Sequence, residues 1–438
     1  MPDAYLIATS CTRFAKQPGA SFKDLTRQAY LAVLADAGLA DGADIANAWF
    51  GNCGMGSWGQ RNIRGQVCFT PLVRDGLFPE RVPMINVEGG CATASMALHG
   101  AWKDVLSGTC ELSLAIGVEK TFVPEAEPGA DRSAASVDVR SGAARTQEIF
   151  DGGIDQLDPQ EWLAYYAAAG EVAGKPFNPK DGGGTLFMDT YAMQAAWHIK
   201  TYGTTVAQIA AGASKNHAMG ALNPLAQYRF EVSPEQVLAD RLVSWPLTRA
   251  MCAPIGDGAA AALVCSAAYL KTLPLAVQAR ALRIRASVIT GGKYRRLDEP
   301  GLSQLAGQRA YAMAGITPQQ VDVAEVHDAT SFCEIYQAEM LGFCPIGQGG
   351  AFVASGATAL GGERPINLSG GLVSKGHPVG ATGLSMIHEL ALQLRGEAGA
   401  RQQPGARIGL AENGGGVIGF DEAACAVTIL TQRRGGLR

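Results

Sequence analysis

A chain of 438 residues with 47% hydrophobic and 17% charged side chains has more apolar material than one small core needs, and it reads as a globular protein of two or three domains. Its net charge of −4, with Lys and Arg scattered, offers no basic stripe for nucleic acid, and no apolar run approaches the ~18 residues that span a membrane. The ten cysteines form no C-x-x-C pair and the six histidines no zinc-ligand spacing, so neither a disulfide framework nor a metal site is expected. The start, MPDAYLIATSCTRF, lacks the charged and apolar regions of a signal peptide, and the expectation is a reduced, cytoplasmic protein.

In chain order, AYLIATS reads as a strand and DLTRQAYLAVLADAG as an amphipathic helix stopped by glycine. ANAWFGN, MINVEG and LSLAIGVE follow as further strands, and the second of these runs through Gly89 and Gly90 into a helix-forming stretch that begins at Cys91. From about Thr121 to Trp245 the alternation breaks into a polar, Gly/Ala-rich stretch and then aromatic and Met-rich segments (EWLAYYAAAG, TLFMDTYAMQAAWHIKTYG). This is an inserted region expected to cap a site; its stripe of Met and aromatics is more often the pattern of ordinary core, and only its location favours a lid. AAALVCS closes the first half as a strand.

The same order then returns. SFKDLTRQAYLAVLADAGLADGADIANAWFGN has a counterpart in GLSQLAGQRAYAMAGITPQQVDVAEVHDAT, and INVEGGCATASMAL is echoed by INLSGGLVSKGHPVGATGLSMI. The fold class is therefore α/β with an internal duplication: residues 1–270 form one half, carrying the insertion at about 121–245, and residues 271–438 form the other. Duplication brings equivalent turns together at the ends of strands, where open α/β sheets bind ligands, so the turn with Cys91 and the turn with His377 should face one pocket.

A cysteine with a histidine beside it is the minimal acyl-transfer pair, in which sulfur attacks a carbonyl and imidazole holds the proton. At the start of a helix the Cys91 thiol is expected to have its pKa lowered from ~8.5 into the range of about 3.5–7.5, and N–H groups of the glycine turns are available to an oxyanion. Two more clusters stand out. EVHDATSFCEIY ends a strand with His327 and Asp328, a pattern compatible with either a catalytic or a satisfied structural histidine. LAENGGGVIGF puts Glu412 and Asn413 before three glycines without the order of a phosphate loop or a dinucleotide fingerprint.

These clusters, in this order, resemble the thiolase superfamily over nearly the whole chain. AYLIATSCTRFAKQPGASFKDLT, GMGSWGQRNIRGQ, IGVEK, QIAAGASKNHAMGALN and CAPIGDGAAAALV each resemble a family segment, and GHPVGATG is close to diagnostic. The resemblance implies a duplicated fold in αβαβα layers, with Cys91 as acyl-accepting nucleophile and His377 as the histidine that activates it. It also implies a second oxyanion hole from the N–H groups of Cys91 and Gly414. HDAT looks most like the sterol-carrier-protein-type thiolases, which makes His327 the other oxyanion-hole histidine. The implied reaction is CoA-dependent cleavage of a 3-oxoacyl-CoA, as in beta-oxidation, or the reverse Claisen condensation; coenzyme A is a substrate and no cofactor is needed.

The pattern departs from the family at the second acid/base. The positions where relatives carry that cysteine hold Ala329 in one motif and Glu412 or Asn413 in the other, and the usual serine beside the pantetheine arm is Ala253. Cys333, one helical turn beyond Ala329, and Glu412, if burial raised its pKa, are the candidates; a third option is chemistry that needs no such base. The resemblance further implies a homodimer or tetramer; because the sequence stops after the second half, no appended sterol-carrier domain is expected. Its alternatives are an acyltransferase or retro-aldol lyase working with a small OB-fold partner, and a non-catalytic acyl-CoA-binding subunit.

Overall fold

A computed structural model describes residues 3–122, 147–149, 151–177 and 186–433. The polar part of the expected cap, 123–146, lies outside the described residues. The elements that matter here are, in order, β1 (Ala4–Cys11), α1 (Phe22–Ala37), β2 (Asn47–Gly51), β3 (Met84–Val87), α2 (Thr93–Leu106) and β4 (Leu112–Glu119). The capping region supplies α3 (Pro159–Ala173), α4 (Leu186–Tyr202) and α5 (Val206–Leu222). Then come β5 (Gly258–Ser266), β6 (Leu282–Gly291), α6 (Leu302–Ala314), β7 (Val323–Val326), α7 (Ser331–Met340), α8 (Thr382–Arg395), β8 (Ile408–Gly415) and β9 (Ala424–Gln432).

The nine strands run in the order β3-β2-β4-β5-β1-β6-β9-β8-β7, and the sequence duplication is visible in it. Outward from the centre, β1 pairs antiparallel with β5, β5 antiparallel with β4, and β4 parallel with β2. On the other side β6 pairs antiparallel with β9, β9 antiparallel with β8, and β8 parallel with β7. The two series meet where β1 and β6 pair antiparallel through Tyr5 with Arg283 and Leu6 with Leu282.

One expected strand is reduced. INLSGG, the counterpart of β3, makes only a single parallel bridge, Ile366 to Ala324. Asn367 turns the chain there with φ 58°, a left-handed conformation that ends a strand, and its side-chain Oδ1 instead accepts a hydrogen bond from the Val326 N–H at 2.8 Å.

Alternation along the strands sets the layers. Leu112, Leu114, Ile116 and Val118 of β4 pack with Leu25, Tyr30 and Val33 of α1, whereas Ala115 and the β5 residues Ala260, Ala262 and Val264 face α2 and α8. Beyond α8, Leu410, Val427 and Ile429 turn outward onto Ala306 and Ala310 of α6. The result is helix, sheet, helix pair, sheet, helix. Because α2 and α8 lie between the layers they bury much of their surface, with Ala94, Ala97 and Ala101 buried on one and Leu384, Ile387 and Leu390 on the other.

The outer helix α1 starts on a capping box between Ser21 and Asp24 and stops at Gly38 with φ 66°. Helix α2 has no side-chain cap. Its first N–H groups remain at the end of the strands where β3 and β8 finish, and that is where the site lies.

Candidate active site

The turn that carries Cys91 and the glycine run that ends β8 are pressed backbone against backbone. Gly90 has φ 57°, and a Cβ there would stand 2.3 Å from the Gly416 nitrogen; a Cβ on Gly415 would stand 2.6 Å from the Cys91 nitrogen. Neither position accepts a side chain, which is why glycines occupy both motifs. Thr93 ties the turn, accepting from the Gly89 N–H at 2.9 Å and donating to the Gly90 carbonyl at 2.6 Å.

His377 arrives from the other half. Its N–H donates to the Pro254 carbonyl at 2.9 Å, and two residues past Pro378 the Gly380 N–H donates to Glu119 Oε2 at 3.1 Å. The same Glu119 carboxyl, at the end of β4, accepts from the N–H groups of Cys53 and Gly54 at 3.1 Å each. It is a buried knot that fixes the His377 loop to the first half of the sheet, and burial pushes its pKa up to about 7.

So placed, His377 Nε2 lies 3.1 Å from Cys91 Sγ, and His377 Nδ1 lies 2.7 Å from Thr382 Oγ1. The Thr382 hydroxyl gives its one proton to the Pro378 carbonyl at 3.0 Å, so toward the imidazole it acts as acceptor. Nδ1 therefore carries the hydrogen, and the lone pair of Nε2 faces the thiol. The expected contact between the two turns is present, and its tautomer is the one a base requires.

The resting charge state differs from the sequence expectation. Burial, the largest influence, pushes the Cys91 thiol up to about 12, against the opposing pull of its own backbone N–H; the charges of Glu88, Glu119 and Glu422 push it further up. Burial also holds His377 well below the ordinary imidazole value, and holds His327 down at about 4. The helix start does not lower the thiol into the range of about 3.5–7.5 because the sulfur is buried, and desolvation of the anion outweighs the dipole. The resting pair is thiol and neutral imidazole.

His327 sits across from His377, ring centroids 5.4 Å apart, with its Nε2 buried and without a partner among the described residues. Its loop is anchored below by Asp328, which accepts from the Leu372 N–H at 2.6 Å and from Asn216 Nδ2 on α5 at 2.8 Å. The sequence expectation of no metal site rested on spacing along the chain. In space, one ligand atom each from Cys91, His327 and His377 lies within 4.8 Å of the others, the one compact group of this kind among the described residues.

Cys91 opens into a cavity of about 220 Å³ that Cys53, Glu88, Val379, Gly416 and, from α4, Phe187 also line. A second, narrow space of about 20 Å³ lies behind Gly416, walled by His327, Cys333, Tyr336, Glu422 and, from α4, Tyr191. The Met- and aromatic-rich segment thus does both things considered from sequence: Tyr166 and Met193 are core, while Phe187 and Tyr191 form walls of the site.

The remaining sequence candidates fall as follows. Cys333 reaches the narrow space, with its Sγ 3.3 Å from Thr330 Oγ1 and its thiol pushed by burial up to about 12. Glu412 points to the outer face of the sheet, where Oε2 accepts from the His327 N–H at 3.0 Å and Oε1 from Cys425 Sγ at 3.4 Å; it lines neither space, and burial raises it to about 8. Asn413 turns the other way, accepting from Ser95 Oγ at 2.9 Å. Ala329 is buried, and its carbonyl accepts from the Ala253 N–H at 3.0 Å. Gly414 lies beside Glu422, and a Cβ on it would come within 2.4 Å of the Glu422 Cγ. Thr382, Cys53 and Glu422 were not singled out from sequence, though the five-residue spacing from His377 to Thr382 on a helix start was a usable signal for the first.

A buried thiol, an imidazole oriented to take its proton and a second imidazole with a free nitrogen, all at the junction of two like halves, define an enzyme of nucleophilic acyl transfer. The comparisons with known proteins agree on which. Residues 4–150 match the thiolase N-terminal domain and residues 301–430 the thiolase C-terminal domain-like family, and the chain belongs to the thiolase family. It is 34% identical over 427 residues to an acetyl-CoA acetyltransferase of Methanothermobacter thermautotrophicus, covering 96% of this chain and 98% of that one. It is also 34% identical over 442 residues to human sterol carrier protein 2, covering 96% of this chain and 73% of that one. Among solved structures it resembles the Ltp2-ChsH2(DUF35) aldolase with a TM-score of 0.73 at 22% identity, over 99% of this chain and 98% of that one. No helix among the described residues is long and apolar enough to cross a membrane.

Proposed function

We propose that this enzyme cleaves 3-oxoacyl-CoA thioesters with coenzyme A through an acyl-Cys91 intermediate, and that the opposite reaction, a Claisen condensation, uses the same site. Cys91 Sγ gives its proton to His377 Nε2 and attacks the 3-keto carbon. The C2–C3 bond breaks, its electron pair stays on C2 of the departing acyl-CoA, and C2 takes a proton. Coenzyme A then attacks the acyl-Cys91 carbonyl, with His377 relaying the thiol proton back to Cys91. His327 Nε2 serves as an oxyanion donor at the thioester carbonyl, and the Cys91 and Gly414 N–H groups serve at the carbonyl under attack, where each donor contributes about 2.7–4 kcal/mol.

The observation that carries the proposal is the 3.1 Å approach of Cys91 to an imidazole whose other nitrogen is committed to Thr382. Intact-protein mass spectrometry after incubation with acetyl-CoA tests it: the expected result is one acetyl adduct on Cys91, discharged by coenzyme A. Binding without an adduct would leave the acyl-CoA-binding subunit standing and end the covalent mechanism.

A second reading, carbon–carbon cleavage assisted by a small OB-fold partner, is supported by the loss of cysteine at Ala329 and by the likeness to the Ltp2-ChsH2(DUF35) aldolase. The presence of Cys91 in the pocket favours thiolysis. The proposal includes residues 1–270 and 271–438 as the two halves, a homodimer or tetramer in the cytoplasm, and no bound cofactor.

A further inference from the structure

We infer that Glu422 is the acid/base that moves the proton at the substrate α-carbon, a role that rests on the thiolysis reading above. The two positions where sequence expects that group are chemically or geometrically closed. Ala329 carries only a methyl. Glu412 has both oxygens engaged, by the His327 N–H and by Cys425, and lines neither space of the site. Thiolysis still requires C2 to gain a proton, so another group at the site must supply it.

Glu422 comes from the turn between β8 and β9, and it lines the narrow space together with His327 and Cys333 while keeping part of its surface accessible. Its side chain packs against Gly414 on the face of β8 that also carries Glu412, opposite the face on which Gly415 meets the Cys91 turn. A Cβ on Gly414 would meet Glu422 Cγ at 2.4 Å and Oε1 at 2.9 Å, and the next glycine, Gly415, is the one that abuts the Cys91 nitrogen. The glycine at 414 therefore leaves room for this carboxyl and not only for close strand pairing. Gly416 borders both the Cys91 cavity and the narrow space, so a single residue separates the cavity at the sulfur from the space that Glu422 lines. Glu422 lies near enough to Cys91, Cys333 and Tyr191 for its charge to raise the pKa of each.

The groups facing Glu422 hold it ready. The Gln337 side chain donates to it and Arg295 lies near enough to favour the anion, while Asp421 favours the acid; Glu422 in turn raises the pKa of the neighbouring Glu412. Burial is the largest influence, and the balance raises its pKa to about 7, where a carboxyl can both give and take a proton at neutral pH. Cys333, the neighbouring alternative, has its sulfur engaged with Thr330 Oγ1 at 3.3 Å.

In the cleavage direction the Glu422 acid gives its proton to C2 as the C2–C3 electron pair arrives, becoming carboxylate while His377 holds the proton from Cys91. The imidazolium then loses a proton to solvent and the carboxylate regains one, so the acyl-enzyme stage starts with both groups reset. Acylation by a simple thioester and its reversal use Cys91, His377 and the oxyanion donors but move no proton at the α-carbon, and this separates the two roles experimentally.

The test is Glu422→Gln, which keeps the volume and a polar contact for Gln337. Three rates are compared with the wild type: exchange of labelled coenzyme A into acetyl-CoA, deuterium uptake at the acetyl-CoA α-carbon from heavy water, and thiolysis of acetoacetyl-CoA. The expected result is coenzyme A exchange within threefold of wild type, with α-deuteration and thiolysis reduced by about 10²–10⁴-fold, the span of a general acid/base. Glu422→Asp is expected to recover part of the loss, and Cys333→Ala to leave all three rates near wild type. Unchanged deuteration in Glu422→Gln, or loss of deuteration in Cys333→Ala alone, would overturn the assignment. Absence of coenzyme A exchange in the wild type would instead strike the acyl-Cys91 reading.

Discussion

Replacing Thr382 by Val tests the orientation of the base without touching sulfur or imidazole. The side chain keeps its branched shape at the first position of α8 but loses the oxygen that accepts from His377 Nδ1 at 2.7 Å. In this dry site no other acceptor among the described residues is recorded for that N–H. The imidazole must either keep a buried donor unsatisfied or move its hydrogen to Nε2 and cease to be a base toward Cys91. A buried unsatisfied donor costs about 1–3 kcal/mol. At about 1.4 kcal/mol per tenfold in rate, this predicts a fall of about 5- to 150-fold in the rate of Cys91 acylation. Rapid-quench mass spectrometry of the acetyl adduct measures it directly, and Thr382→Ser, which restores the oxygen, is expected to recover most of the rate. Acylation of the Val variant at the wild-type rate would refute the tautomer reasoning.

Three further outcomes are expected. Cys91→Ala abolishes the adduct and turnover, while calorimetry still detects acyl-CoA binding, because the change removes the nucleophile and little contact area. Gly90→Ala forces a side chain into a left-handed turn and against the Gly416 nitrogen 2.3 Å away, so both the melting temperature and acylation should fall; a variant as active and stable as wild type would contradict the packed turn. Glu412 has a folded pKa of about 8 against about 4.3 unfolded, so the folded state holds the extra proton through that window and stability is lost as pH rises through it. Urea midpoints at pH 5.5 and 8.5 should therefore differ less in Glu412→Gln than in wild type, and an equal difference in both would count against this titration.

Much of the fold was legible because it is written twice. Each helix-turn-strand series in the first half has its partner in the second, and the symmetric strand order is the spatial form of that repetition. The strand missed was the one where Asn367 adopts a left-handed conformation, a decision made by tertiary contacts rather than by the apolar pattern. The meeting of Cys91 and His377 followed from duplication as well. What spacing could not convey was burial: a helix start argues for an anionic thiol, and the packing around Cys91 favours the neutral one. Nor could spacing convey Glu422, which sits in DEAAC beside Asp421 and reads as an ordinary charged turn. A carboxyl there becomes unusual only when Gly414, Gln337 and Tyr336 enclose it.

Because the sulfur belongs to one repeat and its proton acceptor to the other, activity is a property of the junction, and neither repeat carries half of it. The Glu119 carboxyl, gathering N–H groups of Cys53 and Gly54 on one side and Gly380 on the other, is the rivet of that junction. Mutational drift in either copy is thereby answerable to the other: the pair can diverge in surface and in cap, but the few backbone donors that share this carboxyl must keep their places together.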